Sequence, residues 1–508
     1  LENRPLNPQV YEINTRVWLN TLSAALERRL TLGAVPQDIW EHYKELGMDA
    51  VWLMGVWLPS AAGVQIARNH PDLLRAYGQA LPDFVPDDVI GSPYSVAGYE
   101  LNPALGGPDD LARVRENLRR AGLKLILDFV PNHTAQDHPW VREFPRYYVW
   151  DDADSMFGHA DSFEADTAAG KKVRIAFGRD PYFAPWTDTA QMCAICSETR
   201  EAVSRDLVRI VDWCDGLRCD MAMLTLNSVF GRTWKAWIDR RGVVLPPTEY
   251  WAEVMTAVKA SHPEFVFMAE AYWGTEPELL NLGFDYVYDK EGYDQLRCLD
   301  MSALKRDLLA EGDRKTHKIR FLENHDEDRM ASAFRGGSFF SAAVIHATLP
   351  GLRLFHHGQL EGRVIKLPVQ LGREPEEPLD EEIESFYDRL LRETAAPLFK
   401  DADGRVLDVE PSFEGDASYA SLIAVAYLNE SEAAVAAVNH SDRTASCYAR
   451  FPAGFWDGWE DIVFHDVMSE EKTVYARKRE ALEKEGLYIK LGSFGYHLLR
   501  AARKEGRP

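Results

Sequence analysis

The chain has 508 residues, of which 46 % are hydrophobic and 27 % charged, and its formal charge is −23. That length is more than one small core takes, so one large domain with one or two smaller ones is expected, and the composition is that of an ordinary globular protein. The acidic balance argues against nucleic acid or an anionic membrane as a partner, because phosphate binding needs basic patches. The opening "LENRPLNPQV" has no charged-then-apolar leader pattern, and no apolar run reaches about 18 residues. The expectation is a soluble cytoplasmic protein.

In chain order, short β-branched or aromatic runs alternate with helical patterns. "VYEINTRVW" (10–18) reads as a strand and "PQDIWEHYKELG" (36–47) as a helix with Ile39, Tyr43 and Leu46 on one face. "DAVWLMG" (49–55) is the next strand. Pro108 and Asp109 start a helix that carries Leu111, Val114 and Leu118 at helical spacing and stops at Gly122. "LKLILDFV" (123–130) follows as a strand apolar on both faces, as parallel strands are. "DGLRCD" (215–220), "EFVFMAE" (264–270), "FDYVYD" (284–289), "KIRFLE" (318–323) and "LRLFHH" (352–357) continue the series. The last helical pattern, "EEIESFYDRLLRE", puts Ile383, Phe386, Tyr387, Leu390 and Leu391 on one stripe.

Eight strand candidates alternating with helices predict an α/β fold of the closed (β/α)8 barrel type. An open doubly wound sheet would normally show a Gly-rich phosphate turn after its first strand, and there is none. The barrel is assigned residues 1–132 and 189–398. Residues 133–188, irregular and rich in Asp, Phe, Pro and Tyr, are read as a subdomain inserted after the third strand. After Lys400 the alternating runs "SLIAVAYLN", "AAVAAVNH" and "GYHLLRAA" predict a C-terminal antiparallel β-sandwich over 399–508. The six cysteines are too few for a disulfide framework. The lone CxxC, Cys193 and Cys196, has no second pair at zinc-binding spacing, so neither a metal nor a redox role is expected of it.

In such barrels functional groups sit at the C-terminal ends of strands. Four of these ends are acidic or mixed polar. "LILDFVPNH" supplies Asp128, Asn132 and His133; "GLRCD" supplies Arg218 and Asp220; "FMAEAYW" supplies Glu270; "FLENHD" supplies Asn324, His325 and Asp326. Singly, each acid could be a helix cap and each histidine an ordinary core residue. Together on one rim they converge, and buried like charges need cations or a function to justify them. His356 and His357 invite a metal reading, but neighbours in a strand point to opposite faces.

The segments "DFVPNH", "GLRCD", "AEAYW" and "FLENHD" resemble, in order, the four signature motifs of the α-amylase family of retaining glycoside hydrolases. "GSPYSVAGYELNPALGG" and "TLPGLRLFHHGQLEG" extend the resemblance over nearly the whole chain. The resemblance implies hydrolysis of α-glucosidic bonds of malto-oligosaccharides or related α-glucans. Asp220 would be the nucleophile, Glu270 the general acid and later base, and Asp326 the third carboxylate, holding sugar hydroxyls. Arg218 would keep Asp220 ionised, while a less paired, partly buried Glu270 keeps its proton. Tyr94, His133, His325 and Trp273 would contact sugar, Arg329 would position its loop or touch the sugar's far side, and Asp128 would brace the site. Asn132 and Asp188 would be candidate ligands of a structural calcium ion; no cofactor is needed for the chemistry.

Two departures blur the subtype. The Lys-His pair that many starch-degrading members carry after the nucleophile is replaced by Met223 and Leu224, and Gly91 stands where exo-acting α-glucosidases carry an aspartate. A transglycosylase of the same family (a glucanotransferase, maltosyltransferase or sucrose-acting enzyme) would need the same carboxylates, and a non-catalytic sugar-binding relative would be marked by loss of Asp220 or Glu270, both of which are present.

Overall fold

A computed structural model describes residues 4–152 and 156–503. Eight parallel strands close into a barrel: β1 (Gln9–Asn14), β2 (Ala50–Met54), β3 (Lys124–Phe129), β4 (Gly216–Cys219), β5 (Val266–Ala269), β6 (Tyr286–Tyr288), β7 (Lys318–Arg320) and β8 (Leu352–His356). Each pairs with its sequence neighbour, and Gln9–Glu12 of β1 pairs with Arg353–His356 of β8 to close the ring. All eight sequence runs fall on these strands. The first run is shorter than expected, because Thr15 already begins the helix Thr15–Ala25 and Val17 and Trp18 bury their side chains from it. In the helix Gln37–Glu45 the deepest residue is Trp40, while Ile39 is only partly buried. The final barrel helix, Glu381–Thr394, buries the five predicted residues and is capped by the Asp380 carboxylate.

Three connections rise over the C-terminal rim. The first, after β2, carries the hairpin Trp57–Pro59/Val96–Leu101 and two helices. The second, after β3, holds a three-stranded antiparallel sheet in the order Trp150–Asp151, Lys172–Ala176, Ser162–Asp166. Its root is closed where His133–Ala135 pairs antiparallel with Thr189–Gln191. The third, after β8, crosses to the first: Ile90 N–H donates to Gln370 O and Gly372 N–H to Asp88 O, both at 2.8 Å, while Leu371 packs with Val89, Tyr77 and Leu81.

Beyond Lys400 lie a six-stranded and a three-stranded antiparallel sheet, which together form the C-terminal sandwich. The run "SLIAVAYLN" is apolar throughout because both faces of its strand are covered. Ile423, Val425 and Tyr427 join the barrel's core, and Leu422, Ala424 and Ala426 join the sandwich's own core. The sandwich is thereby packed on the barrel through a shared apolar layer.

Cys193 and Cys196 are joined in a disulfide, which the sequence reading did not foresee. It closes the turn between the insert's return strand and the helix Ser197–Val211. Among the described residues no helix is long and apolar enough to cross a membrane.

Candidate active site

The ends of β3, β4 and β5 are stitched together beyond the barrel ladder. Asp220 N–H donates to Phe129 O at 2.8 Å and Glu270 N–H to Cys219 O at 3.1 Å. Asp220 and Glu270 are thus carried on adjacent rigid strand ends, and both are buried. Between them lies Arg218, with no exposed surface at all. Its Nη1 donates to Asp220 Oδ1 at 2.7 Å, and its Nη2 stands 2.8 Å from Glu270 Oε2 as an ion pair without hydrogen-bond alignment. Three rings enclose the guanidinium, with centroids at 5.2 Å (Tyr94), 5.3 Å (Trp52) and 5.7 Å (Tyr288) from its central carbon. A guanidinium is weakly hydrated and stacks on aromatic faces, so this cage suits a buried Arg as it would not suit a Lys.

The sequence expectation for Glu270 needs correction. It is not the less paired carboxylate. Its Oε1 accepts from the Tyr272 hydroxyl at 2.8 Å and its Oε2 from Met221 N–H at 2.6 Å, in addition to the ion pair with Arg218. Asp220 has the guanidinium alone. Burial pushes the Asp220 carboxyl up to about 7 against the pull of Arg218, with the charge of Glu270 adding to the rise. One proton shared by the two carboxylates would leave a neutral trio with Arg218, the charge state in which one acid is protonated and the other ionised.

Asp326 follows β7, its side chain 51 % exposed. Its Oδ2 is 3.1 Å from His325 Nε2, and its backbone oxygen accepts from Lys366 on the loop after β8. Against the cost of its partial burial, the charge of His325 holds the Asp326 carboxyl well below the usual carboxylate range. Asn324 Oδ1 accepts from the backbone N–H groups of Asp326 and Glu327, both at 2.9 Å, which sets the turn. Tyr94 stacks on His325 with ring centroids 5.2 Å apart, and its hydroxyl lies 2.9 Å from His325 Nε2.

Asp128 braces the base of the site. Its Oδ2 accepts from Gly55 N–H at 2.8 Å and its Oδ1 from Trp52 Nε1–H at 3.1 Å, so β3 fixes the end of β2. Burial raises its carboxyl to about 6 against Arg218 and the Gly55 N–H. His133 is buried at the root of the insert beside Trp186, with ring centroids 5.2 Å apart. Burial lowers its imidazole to about 4, so it is a neutral donor or acceptor at working pH. Trp273 is 40 % exposed at the rim and meets Tyr182 of the insert edge-on at 4.9 Å. Its φ of +62° is one that bulky residues rarely adopt.

Of the two roles the sequence left to Arg329, the structure supports positioning the loop and not contact with sugar. Its guanidinium turns inward, where Nη1 donates to Glu323 Oε1 at 2.7 Å and to His357 O at 2.6 Å and Nε donates to Ile365 O. It neutralises the fully buried Glu323 and ties β7 to the loop after β8; it does not face the cleft. His356 Nδ1 joins the same carboxylate at 2.9 Å. Asp328 spends its charge on Arg297 at the surface.

Both departures in the motifs have a packing reason. Met223 and Leu224 are buried in the turn Ala222–Thr225, whose Ala222 N–H donates to Glu270 O at 3.0 Å. Gly91 has φ +80°, and a Cβ there would lie 2.9 Å from Val64 Cγ2, so no aspartate fits.

The residues at Asn132 do not fit a calcium ion. Asn132 Oδ1, Asn132 O and Met192 O converge on Gln191 Nε2 at 2.9, 3.0 and 3.1 Å. A neutral amide therefore takes the oxygens that a cation, needing six to eight of them, would use. Asp188 gives its backbone oxygen to Ser95 Oγ at 2.8 Å. Among the described residues no three His, Cys, Asp or Glu side chains could hold a metal ion. Chelation by EDTA is expected to leave the melting temperature unchanged. Gln191→Ala, which strands these buried acceptors, should cost about 1–3 kcal/mol in denaturant unfolding, with no rescue by added calcium. A melting temperature that falls on chelation would restore the calcium reading.

Four residues of the site were not singled out in the sequence: Glu12, Trp52, Tyr272 and Tyr288. Tyr272 lies inside the motif "AEAYW", and Glu12 left a signal as a charge in the strand "QVYEIN", whose six residues are all buried.

A family model described as "Alpha amylase, catalytic domain" matches residues 38–182. The chain is 22 % identical over 363 residues to "Alpha-amylase 3" of Dictyoglomus thermophilum, covering 66 % of this chain and 61 % of that protein. A 138-residue stretch, 26 % of this chain, is 31 % identical to "Trehalose synthase/amylase TreS" of Mycobacterium tuberculosis and covers 18 % of it. The matches thus span less than two thirds of these relatives' lengths. Among solved structures, the fold is similar to a noncanonic maltogenic alpha-amylase, AmyB, from Thermotoga neapolitana, with TM-score 0.67, 18 % identity, and coverage of 97 % of this chain and 98 % of that one.

Proposed function

Because the chain belongs to the alpha-amylase family, we propose that it is a retaining glycosidase acting on α-glucosidic bonds of malto-oligosaccharides or related α-glucans. The observation that carries this reading is the pair Asp220 and Glu270 held on the two terminal nitrogens of one buried guanidinium. Retention needs two carboxyls about 5–5.5 Å apart, and a shared guanidinium keeps such a pair close.

In this reading Asp220, ionised, attacks the anomeric carbon. Glu270, carrying the pair's proton, protonates the leaving oxygen, so one C–O bond forms as another breaks. Glu270 then takes a proton from the incoming hydroxyl, which displaces Asp220 from the glycosyl-enzyme. Asp326, half exposed and steadied by His325, accepts hydrogen bonds from the ring hydroxyls of the distorted sugar. Tyr94 and His133 line the same sugar. Arg329 is given no part in binding.

A transglycosylase is the second reading, and one observation favours it. Trp273 with Tyr182 makes an exposed aromatic ledge beside Glu270, extended by Phe183, which is 72 % exposed. Such a ledge suits an acceptor sugar on the leaving side. The reading places the chain in the cytoplasm; the Cys193–Cys196 bond counts against that, since reducing compartments do not generally keep disulfides.

Product analysis on malto-oligosaccharides, isomaltose, sucrose, trehalose and soluble starch tests the proposal. Shorter products support hydrolysis and products longer than the substrate support transfer. No turnover of any of them overturns the α-glucan reading.

A further inference from the structure

His325 is held between two carboxylates. Glu12, from β1, places Oε1 2.6 Å from its Nδ1, and Asp326 places Oδ2 3.1 Å from its Nε2. Ionised carboxylates only accept hydrogen bonds, so one on each side of the ring favours a proton on each nitrogen, with the Tyr94 hydroxyl then accepting at Nε2. Glu12 has no exposed surface, and its other oxygen, Oε2, is buried without a partner. No Lys or Arg pairs with it among the described residues. The imidazolium is the cation that its burial requires.

The other groups around the ring are accounted for. Tyr94 stacks on it and shares Nε2, and Trp52 from β2 meets it edge-on at 5.6 Å. Asp128 on β3 adds a further negative charge within range. Arg218 and Lys366 act on Asp326 from β4 and the loop after β8, and Tyr288 on β6 lies near Glu12. Burial works against a charged ring here, but Asp326 and Glu12 outweigh it and hold His325 well above the ordinary imidazole range.

We propose that Glu12 is a positioning residue of this site: it keeps His325 doubly protonated, so that the charged ring clamps Asp326 in the orientation that receives the sugar's hydroxyls. The inference rests on the function proposed above for Asp326, but its first test does not depend on turnover. Glu12 touches no substrate. It acts through His325, much as an outer carboxylate fixes the charge and orientation of a catalytic imidazole.

The experiment is nitrogen NMR of the full chain with labelled histidine at pH 8, the His325 signal being assigned by its loss in His325→Asn. In the unaltered protein both ring nitrogens should be protonated, and in Glu12→Gln the ring should be neutral at the same pH. The alkaline limb of kcat/KM should then move to lower pH by about one unit or more, with kcat rather than KM carrying the loss, because the imidazolium now deprotonates earlier. Glu12→Asp, which keeps the charge on a shorter arm, should lie between the two. A neutral His325 in the unaltered protein at pH 8 would overturn the proposal even if Glu12→Gln failed to fold. So would a folded Glu12→Gln that keeps a cationic ring or the original pH profile. Absence of activity on every α-glucan would instead count against the function itself.

Discussion

Asp220→Asn is expected to lower kcat by about 10⁴-fold or more, the scale seen when one member of a catalytic unit is removed. Glu270→Gln should lower it by about 10²–10⁴-fold on oligosaccharides, and by much less on aryl glycosides whose leaving group needs no proton. Stability should respond in the opposite sense. The Asp220 carboxyl is raised to about 7 and that of Asp128 to about 6, burial being the main cause of both. Between the unfolded carboxyl value and these values, the folded chain holds more protons than the unfolded one. Their contribution to stability is therefore present at low pH and is lost as pH rises toward 7. Asn at position 220 cannot ionise, so Asp220→Asn should melt no lower than the unaltered protein above pH 7. The kcat/KM profile of the unaltered protein should fall as pH rises past about 7, where the Asp220–Glu270 pair gives up the one proton that the leaving oxygen needs. Initial-rate assays and thermal melts across pH 5–9 check both halves. Near-normal turnover in Asp220→Asn would refute its assignment as nucleophile.

Arg218→Leu should have the largest effect on folding of any single change at the site. It leaves Asp220 and Glu270 buried and adjacent with no cation between them, and breaking a buried pair this way costs about 3–5 kcal/mol. The loss should shrink at low pH, where the carboxyls take up protons, and should shrink again in Arg218→Leu combined with Asp220→Asn. Urea unfolding at two pH values reads this directly. A loss under about 1 kcal/mol at pH 8 would mean that the guanidinium is not what holds the two acids together. Arg218→Lys should recover only part of the loss, because a compact ammonium does not place two nitrogens beside the two carboxylates or fill the cage of Trp52, Tyr94 and Tyr288.

The barrel was legible because each strand run is a compact apolar segment bounded by turn residues, and because acids at four strand ends stand out against it. The overrun of the first strand into Thr15–Trp18 has a local cause, since the β-branched and aromatic character of the run continues past the point where the backbone turns helical. What surrounds the carboxylates was far less legible. Trp52 and Tyr288 read as ordinary core rings, and nothing in their neighbours marks them as facing a guanidinium on another strand. Arg329 sits three residues after Asp326, yet its inward turn depends on Glu323 and on backbone oxygens of the loop after β8. Glu270 was expected to be poorly paired because its motif shows no cation; its partners are a backbone N–H and an arginine from the neighbouring strand and a tyrosine two residues on. The calcium expectation rested on Asn132 and Asp188, whereas the amide that meets Asn132 comes from Gln191, 59 residues away.

In the proposed reaction Asp220 is a nucleophile that is displaced in a second step. Proton NMR of the first product released from a malto-oligosaccharide, recorded before mutarotation, tests this most directly. Two displacements at the anomeric carbon predict the α-anomer in the first spectra, with the β-anomer growing only later. If the β-anomer appears first, water attacks directly, and Asp220 is not the nucleophile proposed here.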